Sequence, residues 1–591
     1  MLLPTNKEEM HSRGWDEIDI LLVSADAYVD HPSFAAALLS RLLEREGFRV
    51  GVIAQPDWRS AAAFLACGKP RLFTGISGGN IDSMLAHYTP YKNLRATDDY
   101  SPGGKTGLRP NRPTVVYAQR VREAFGKLPI VIGGIEASLR RFAHYDFWDD
   151  AVKKPILFDA KADLLVYGMG ERQIVEIARR LQRGETIDAL RDIRGTAFIA
   201  KDTAAFESQV EIPSFDDIVR DRERLIEATR LIHEECDPFN GRTVIQGCLG
   251  RYAVQLPPAA PLATAELDAL YDLPFDRRAH PSYDAAGGVP ALAPVQFSIT
   301  SHRGCLGSCT FCSIAAHQGH IIQSRSADSI LREVEKITRL TEFRGTISDI
   351  GGPTANMYMA SCRKMAEHGR CRGKECVGAA ICAALPCDHS AQLAMLARVR
   401  AHPKVKHVFL STGVRFDLAL RDKKSNFLEE LCRHYVSGQL KVAPEHSVDR
   451  ILELMRKPPN GVFDEFRKRF AEINRKLGKK QYLVTYLISS FPGSTTGDMA
   501  ALERYMRELG FTPEQIQDFT PTPMTLATAM YYAERDLEDR PIHVARSASE
   551  RKIQRAILQR TAPALRRRAT GTHDAPGRSH PRPRTKRTGK P

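Results

Sequence analysis

The chain has 591 residues, 43% hydrophobic and 26% charged, a balance that excludes a disordered or fibrous polypeptide and allows several domains around real cores. No apolar run approaches the roughly 20 residues of a membrane helix, so a membrane partner is excluded. The net charge of +15 is uneven: residues 561–591 carry nine Lys/Arg and one Asp, and almost no large apolar residue. That stretch cannot bury enough surface to fold and reads as a disordered basic tail, with RNA or another acidic partner as the alternative use.

The start, MLLPTNKEEMHSRG, lacks a basic segment followed by an apolar one, so no signal peptide is expected and the cytoplasm is the expected compartment. IDILLVS (18–24) reads as a buried strand. A helix follows over 31–48, with Phe34, Leu38, Leu42 and Leu43 on one face and Gly47 closing it. Strands are predicted at 49–55, 71–80, 128–138 and 162–171, the last three running into glycine turns, and a helix at 171–184. This alternation predicts an α/β fold whose parallel sheet is covered on both faces over residues 1–254. Glycine turns at strand ends fall on the ligand-binding edge of such a sheet.

Residues 255–290, rich in Pro, Ala and Asp, read as a linker or crossing segment. A second series occupies 291–545. Strands at 296–300, 345–352, 405–413, 439–446, 481–493 and 516–523 alternate with helices at 327–340, 390–402, 426–436, 463–478 and 496–510. Six repeats predict a partial (βα)6 barrel, whose chemistry belongs at the C-terminal ends of its strands. Residues 546–591 are assigned to a C-terminal helix and the tail.

The loop after the first barrel strand reads SHRGCLGSCTFC and holds Cys305, Cys309 and Cys312. Eight of the twelve cysteines lie between 305 and 387, and clustered thiols in a reducing compartment point to metal binding or catalysis rather than to disulfides. A tetrahedral zinc ion would need a fourth ligand, for which His317 and His320 are candidates. A [4Fe-4S] cluster held at three corners would leave one iron free, and Gly304 and Gly307 would let the backbone come close. A second set, Cys362, Cys371, Cys376, Cys382 and Cys387, crowds five thiols into 26 residues, an insertion over 362–387. Four thiolates saturate either zinc or a second iron–sulfur cluster, and the spacing does not separate the two. Arg363, Lys364, Arg370, Arg372 and Lys374 would offset their charge.

CLGSCTFC, with aromatic Phe311 before the last cysteine, resembles the C-x3-C-x2-C signature of the radical S-adenosylmethionine (SAM) superfamily. LVSADAYVDHPSF, GVIAQPDW, GGIEASLRRFAHYDFWDD, DIGGPTANMY and KVAPEHSVDRIL extend the likeness to the YgiQ-type radical SAM proteins over about residues 15–545. The resemblance implies a radical SAM enzyme with cluster ligands Cys305, Cys309 and Cys312. SAM would bind the free iron, be cleaved by one electron from a donor such as flavodoxin or ferredoxin, and start radical chemistry on an unidentified substrate. It also implies SAM contacts at Gly351 and Gly352, where this chain has GGP instead of GGE and only backbone contact is expected. Glu445 would lie near the ribose, and Pro492 and Gly493 near the adenine. A plain turn and an ordinary salt-bridging Glu are the bland readings of the first two. The family carries four of the second-set spacings, at Cys362, Cys371, Cys376 and Cys382; Cys387 is additional.

The N-terminal sheet resembles the cobalamin-binding domain of other radical SAM enzymes. Base-off cobalamin domains present D-x-H-x-x-G, whereas Asp30 and His31 are adjacent here. Histidine ligation to cobalt is therefore not expected, and His31 should border the helix beginning near Ser33; base-on cobalamin and no cofactor both stay open. Gly133, Gly134, Glu136, Arg140 and Arg141 form either an anion site or an interface salt-bridge set. The competing function class is a metal-binding module with a nucleic-acid-binding tail and no radical catalysis.

Overall fold

The computed structural model describes residues 2–204, 206, 208–510 and 515–559. The basic tail expected over 561–591 lies outside the described residues.

The N-terminal region is built on a nine-stranded sheet. Its strands are β1 (Ile20–Ser24), β2 (Val50–Ala54), β3 (Phe73–Ser77), β4 (Ile130–Gly133), β5 (Leu164–Val166), β6 (Thr196–Ala200), β7 (Gln209–Ile212), β8 (Thr243–Cys248) and β9 (Arg251–Gln255). They lie in the order β7-β8-β9-β6-β5-β4-β3-β1-β2. The β2-β1-β3-β4-β5 segment is parallel, and β6 and β9 turn antiparallel. The strands are short and apolar because both faces are covered. Ile20, Leu22 and Val131 point into one core, and Leu21, Val23 and Ile132 into the other. The helix Ala35–Arg45 runs between β1 and β2 and Glu171–Gln182 follows β5, as the apolar spacing predicts. The strand order reverses between β1 and β3, which opens a crevice at their carboxyl ends.

Residues 255–290 carry the helix Thr264–Tyr271, with Leu267, Leu270 and Tyr271 buried. They also carry a short strand at Arg278–Ala279 that pairs with Val29–Asp30. The segment thus packs against the first sheet before entering the second series.

The second series forms an arc of β10 (Ser298–Thr300), β11 (Asp349–Gly351), β12 (His407–Val408), β13 (Gln439–Glu445), β14 (Tyr482–Ser489) and β15 (Gln515–Asp518). All pair in parallel: β10 with β11, Thr346–Ile347 just before β11 with β12, and β13 with β14 and β14 with β15. A Val414–Val442 bridge joins the third and fourth members. Helices Ala327–Ile337, Ser390–Arg400, Asn460–Leu477 and Thr496–Glu508 cover the outside, packing Ile330, Val334, Leu396 and Phe466 onto Ile299, Ile350 and Val442. The helix predicted over 426–436 starts as an α-turn at Phe427–Glu430 and continues as a π-turn over Leu431–Tyr435. Six parallel strands in chain order make the partial barrel expected from the alternation. No helix among the described residues is long and apolar enough to cross a membrane.

Candidate functional site

The two carboxyl edges meet at the three-cysteine loop. Gly304 opens that loop in the left-handed region (φ +84), and a Cβ there would stand 2.3 Å from the Ile321 carbonyl oxygen, so only glycine fits. The loop is held along its length: the Cys305 N–H donates to Gly319 O (3.1 Å), the Thr310 N–H to Met455 O (3.2 Å) and the Ala527 N–H to Thr310 O (2.9 Å). Phe311 packs edge-on against Phe491, with ring centroids 6.2 Å apart.

Two of the three sulfurs, those of Cys305 and Cys309, border one space at Gly307, with Arg415 Nη1 also beside it. A Cβ on Gly307 would lie 3.2 Å from Cys305 Sγ and 4.0 Å from Cys309 Sγ, so the missing side chain leaves a cradle bordered by thiols. The Gly307 N–H donates to Cys305 Sγ at 3.4 Å. Burial pushes the Cys312 thiol up to about 12, with the neighbouring Cys309 and Cys305 and, more weakly, Glu445 adding to it. Burial also raises Cys305. Among the described residues no three Cys, His, Asp or Glu side chains converge on a single-ion position. His317 and His320, the candidate fourth zinc ligands, make other bonds: His317 Nδ1 meets Ser138 Oγ at 3.1 Å and His320 Nδ1 meets Cys305 O at 3.1 Å.

Gly351 and Gly352 end β11 beside this loop. The Ser301 N–H donates to Gly351 O (2.7 Å), and a Cβ on Gly352 would sit 2.6 Å from both Nε2 and O of His302. His302 in turn bonds Thr354 O at 3.0 Å, and Thr354 Oγ1 lies 3.7 Å from Cys305 Sγ. Glu445 closes β13 in a left-handed conformation (φ +70) and is only 7% exposed. Its nearest cation is Lys457 at 3.8 Å, and no hydrogen bond reaches its carboxylate among the described residues. Burial raises its carboxyl group, opposed by Lys457 and Arg415. A surface salt-bridging glutamate is therefore not what the fold places here. Gly493, after β14, has φ +95; its N–H is taken by His543 O (2.7 Å), while its carbonyl accepts from Arg450 Nη1 (3.1 Å) and keeps a second lone pair.

The second cysteine set docks on the first loop. Val377 bridges in parallel to Gly307, and its carbonyl accepts from the Ser308 N–H at 2.9 Å. Leu306, Met357, Met365, Val377, Leu385 and Leu418 form a shared apolar core against which Cys305, Cys362, Cys376, Cys382 and Cys387 pack. Burial pushes Cys376 up to about 11; Arg370 lowers it, while the thiols of Cys362, Cys382 and Cys371 raise it. Cys387 is set apart: burial raises it, and its charged neighbours are Arg421, Asp417 and Asp422. The N-terminal region clamps the insertion. Glu235 takes Arg372 Nη1 and Nη2, each at 2.9 Å, and Asp237 accepts from the Arg370 N–H at 2.8 Å.

Across the loop, the carboxyl edge of the first sheet borders a cavity of about 460 Å³. Glycines 75, 79, 133, 134, 168 and 170 line it, with Arg303, His317 and Gln318 on the barrel side. His31 is not free to reach it: its Nδ1 accepts from the Ser33 N–H (3.0 Å), bordering the helix as expected, and its Nε2 meets Arg277. Arg140 is buried in a pair with Asp82, and Arg141 bonds Gln255, Ser138 O (2.6 Å) and Cys236 Sγ (3.2 Å). Arg140 is thus engaged in a buried ion pair, although its Nε has no partner among the described residues, and Arg141 is held by an amide, a carbonyl and a thiol rather than by a carboxylate.

Residues 2–298 match the family described as Radical SAM N-terminal, and residues 514–566 a domain of unknown function, DUF3362. A UPF0313 protein of Clostridium botulinum (strain ATCC 19397 / Type A) is 48% identical over 94% of this chain and 86% of its own length. One of Methanocella arvoryzae is 49% identical over 94% and 92%. Among solved structures, the radical SAM methyltransferase TsrM of Kitasatospora setae, with cobalamin and a [4Fe-4S] cluster bound, aligns at TM-score 0.49 and 16% identity, over 86% of this chain and 76% of that one. The cobalamin-dependent SAM radical enzyme OxsB aligns at TM-score 0.46 and 12% identity, over 89% and 56%. The chain belongs to the UPF0313, or YgiQ-type, family of radical SAM proteins.

Proposed function

We propose that the protein is a radical SAM enzyme that holds a [4Fe-4S] cluster on Cys305, Cys309 and Cys312 and cleaves SAM reductively to act on a substrate not yet identified. The observation that carries this reading is the grouping of the three cysteines and a buried glutamate at the barrel mouth. Cys305 and Cys309 border one cradle in the loop after β10, Cys312 lies within electrostatic reach of both, and the buried Glu445 is near enough to Cys312 to raise it further. Three thiolates suit a cubane with one open iron, which supplies an electron to a bound sulfonium. Glu445 would accept bonds from ribose hydroxyls, since no hydrogen-bond donor of the described residues occupies its carboxylate. Gly351 and Gly352 would offer backbone only. The cysteine insertion packs on the Gly307–Ser308 backbone and is held by the N-terminal region through Glu235 and Asp237.

Cys362, Cys371, Cys376 and Cys382 would hold a second metal centre, either a cluster or zinc, with Cys387 outside it. The mutual influence of these four thiols supports the grouping, and Cys362, Cys376 and Cys382 also pack on one apolar core. The electron would come from a carrier such as flavodoxin or ferredoxin. Anaerobically purified protein should be brown, contain iron and sulfide, and form 5′-deoxyadenosine from SAM under reduction. Cys309→Ala should abolish that product and leave the second metal in place. Colourless protein holding zinc alone after reconstitution would instead favour the metal-binding module, whose nucleic-acid arm is tested by removing 561–591 and measuring RNA affinity against salt.

A second reading concerns the cavity of about 460 Å³ at the β1/β3 crevice. Glycine backbone and apolar side chains on one side and His317 and Gln318 on the other suit a large ligand with a polar rim, and cobalamin without histidine from His31 is the proposed occupant. Titration with hydroxocobalamin, followed by its visible spectrum after gel filtration, tests it; free passage of the corrin would remove the reading and leave the cluster reading standing.

A further inference from the structure

Arg415 follows the third barrel strand and lies buried between the two cysteine sets, with 7% of its side chain exposed. Asn356 grips its backbone from both sides: Asn356 Oδ1 accepts from the Arg415 N–H (2.8 Å) and Asn356 Nδ2 donates to the Arg415 carbonyl (3.0 Å). Each arm of its guanidinium has a different acceptor. Nε donates to Asp417 Oδ1 (2.9 Å), Nη2 to Gly378 O (3.0 Å) and Nη1 to Cys309 Sγ (3.5 Å). One carboxylate thus balances the charge, and the remaining N–H groups are aimed at a cysteine sulfur and at the backbone next to Val377, the residue that bridges to Gly307.

We propose that Arg415 is a positioning residue that raises the reduction potential of the cluster on Cys305, Cys309 and Cys312 while fixing its loop against the cysteine insertion. The proposal rests on the functional reading above. A cluster becomes more negative on reduction, so a buried cation with an N–H on a ligand sulfur stabilises the reduced form more than the oxidised one. Guanidinium geometry is required: a lysine ammonium keeps the charge but is a compact point charge and cannot reach the carboxylate, the carbonyl and the sulfur in one plane.

The test compares anaerobic, iron-loaded wild type, Arg415→Gln and Arg415→Lys. The midpoint is read by redox titration of the electron paramagnetic resonance signal that changes when SAM is added, which singles out the open-iron cluster. At unchanged iron and sulfide content, Arg415→Gln should lower the midpoint by about 59 mV or more, a tenfold smaller reduced-to-oxidised ratio at a fixed poise. Arg415→Lys should fall between it and wild type. Equal midpoints in loaded proteins would overturn the proposal. Loss of loading in Arg415→Gln shifts the decision to Arg415→Lys, and loss in both would make Arg415 purely structural, which also overturns it. Absence of a SAM-responsive signal in the wild type would instead sink the functional reading.

Discussion

Gly352→Ala tests how tightly the β11 turn and the three-cysteine loop are fitted, before any cofactor is considered. The added Cβ would stand 2.6 Å from His302 Nε2, 2.6 Å from His302 O and 2.7 Å from His302 Cδ2. Ordinary heavy-atom contacts are about 3.5–4.0 Å, so a displacement of about 1 Å is required. His302 cannot supply it by rotation alone, because its own carbonyl is one of the atoms struck and its ring is bound at both nitrogens, to Ser301 Oγ (2.9 Å) and Thr354 O (3.0 Å). Overpacking of this kind costs about 1–3 kcal/mol, and losing the buried His302–Thr354 bond adds about 1–3 kcal/mol. The expected loss is roughly 2–6 kcal/mol. Calorimetry of the metal-free chain should show the barrel transition lowered by several degrees, from about 2–4 °C per kcal/mol at this domain size. Gly351→Ala is the control: its nearest neighbour is a side-chain hydroxyl, Thr412 Oγ1, at 3.2 Å, and the shift should be smaller. A Gly352→Ala melt within a degree of wild type would refute the reasoning that this glycine exists for the His302 approach.

Burial holds His144, His302 and His446 down at about 4, so they stay neutral in the fold while their unfolded counterparts protonate near 6.5. The unfolded chain then binds more protons below pH 6.5; each contributes stability that is present above 6.5 and lost as pH falls to about 4, up to about 3 kcal/mol apiece. Urea midpoints should drop steeply between pH 7 and pH 4.5, and a flat profile would contradict the burial. Asp82→Ala leaves the Arg140 guanidinium, 2% exposed, without its carboxylate; removing one partner of a buried pair should cost about 3–5 kcal/mol, seen as a lower melting temperature that Asp57→Ala at the surface does not share. Gly461→Ala, in the helix Asn460–Leu477 with nothing within 4 Å of the new Cβ, should stabilise by about 0.5–1 kcal/mol in the same melts.

The features legible in the sequence were local ones. The six strand–helix alternations and the C-x3-C-x2-C loop are carried by spacing within a few residues, and the fold places them as the spacing predicts. Arg140 and Arg141 were ambiguous because their partners are distant: Asp82 lies 58 residues and Gln255 114 residues away in the chain. No local pattern could show which groups those guanidiniums meet. Glu445 in VAPEH was singled out by the family resemblance alone, since neither its burial nor its left-handed backbone leaves a mark on composition.

Arg415 shows why the remainder of the site was invisible. It sits 106 residues from Cys309, in STGVRFD, where nothing but the fold connects it to sulfur. The same holds for Val377, 70 positions after Gly307, whose bridge turns the cysteine insertion from a separate metal-binding loop into a wall of the first one. Two consequences follow from that contact. Disturbing the insertion should disturb the three-cysteine loop, because Gly307 and Ser308 lose a backbone partner and Leu306 loses the apolar core it shares with Val377 and Leu385. Cysteine substitutions at 362 or 376 therefore report on both centres unless the backbone is kept, and Cys387→Ala, outside the group of four coupled thiols, is the substitution that separates loss of a ligand from loss of the wall.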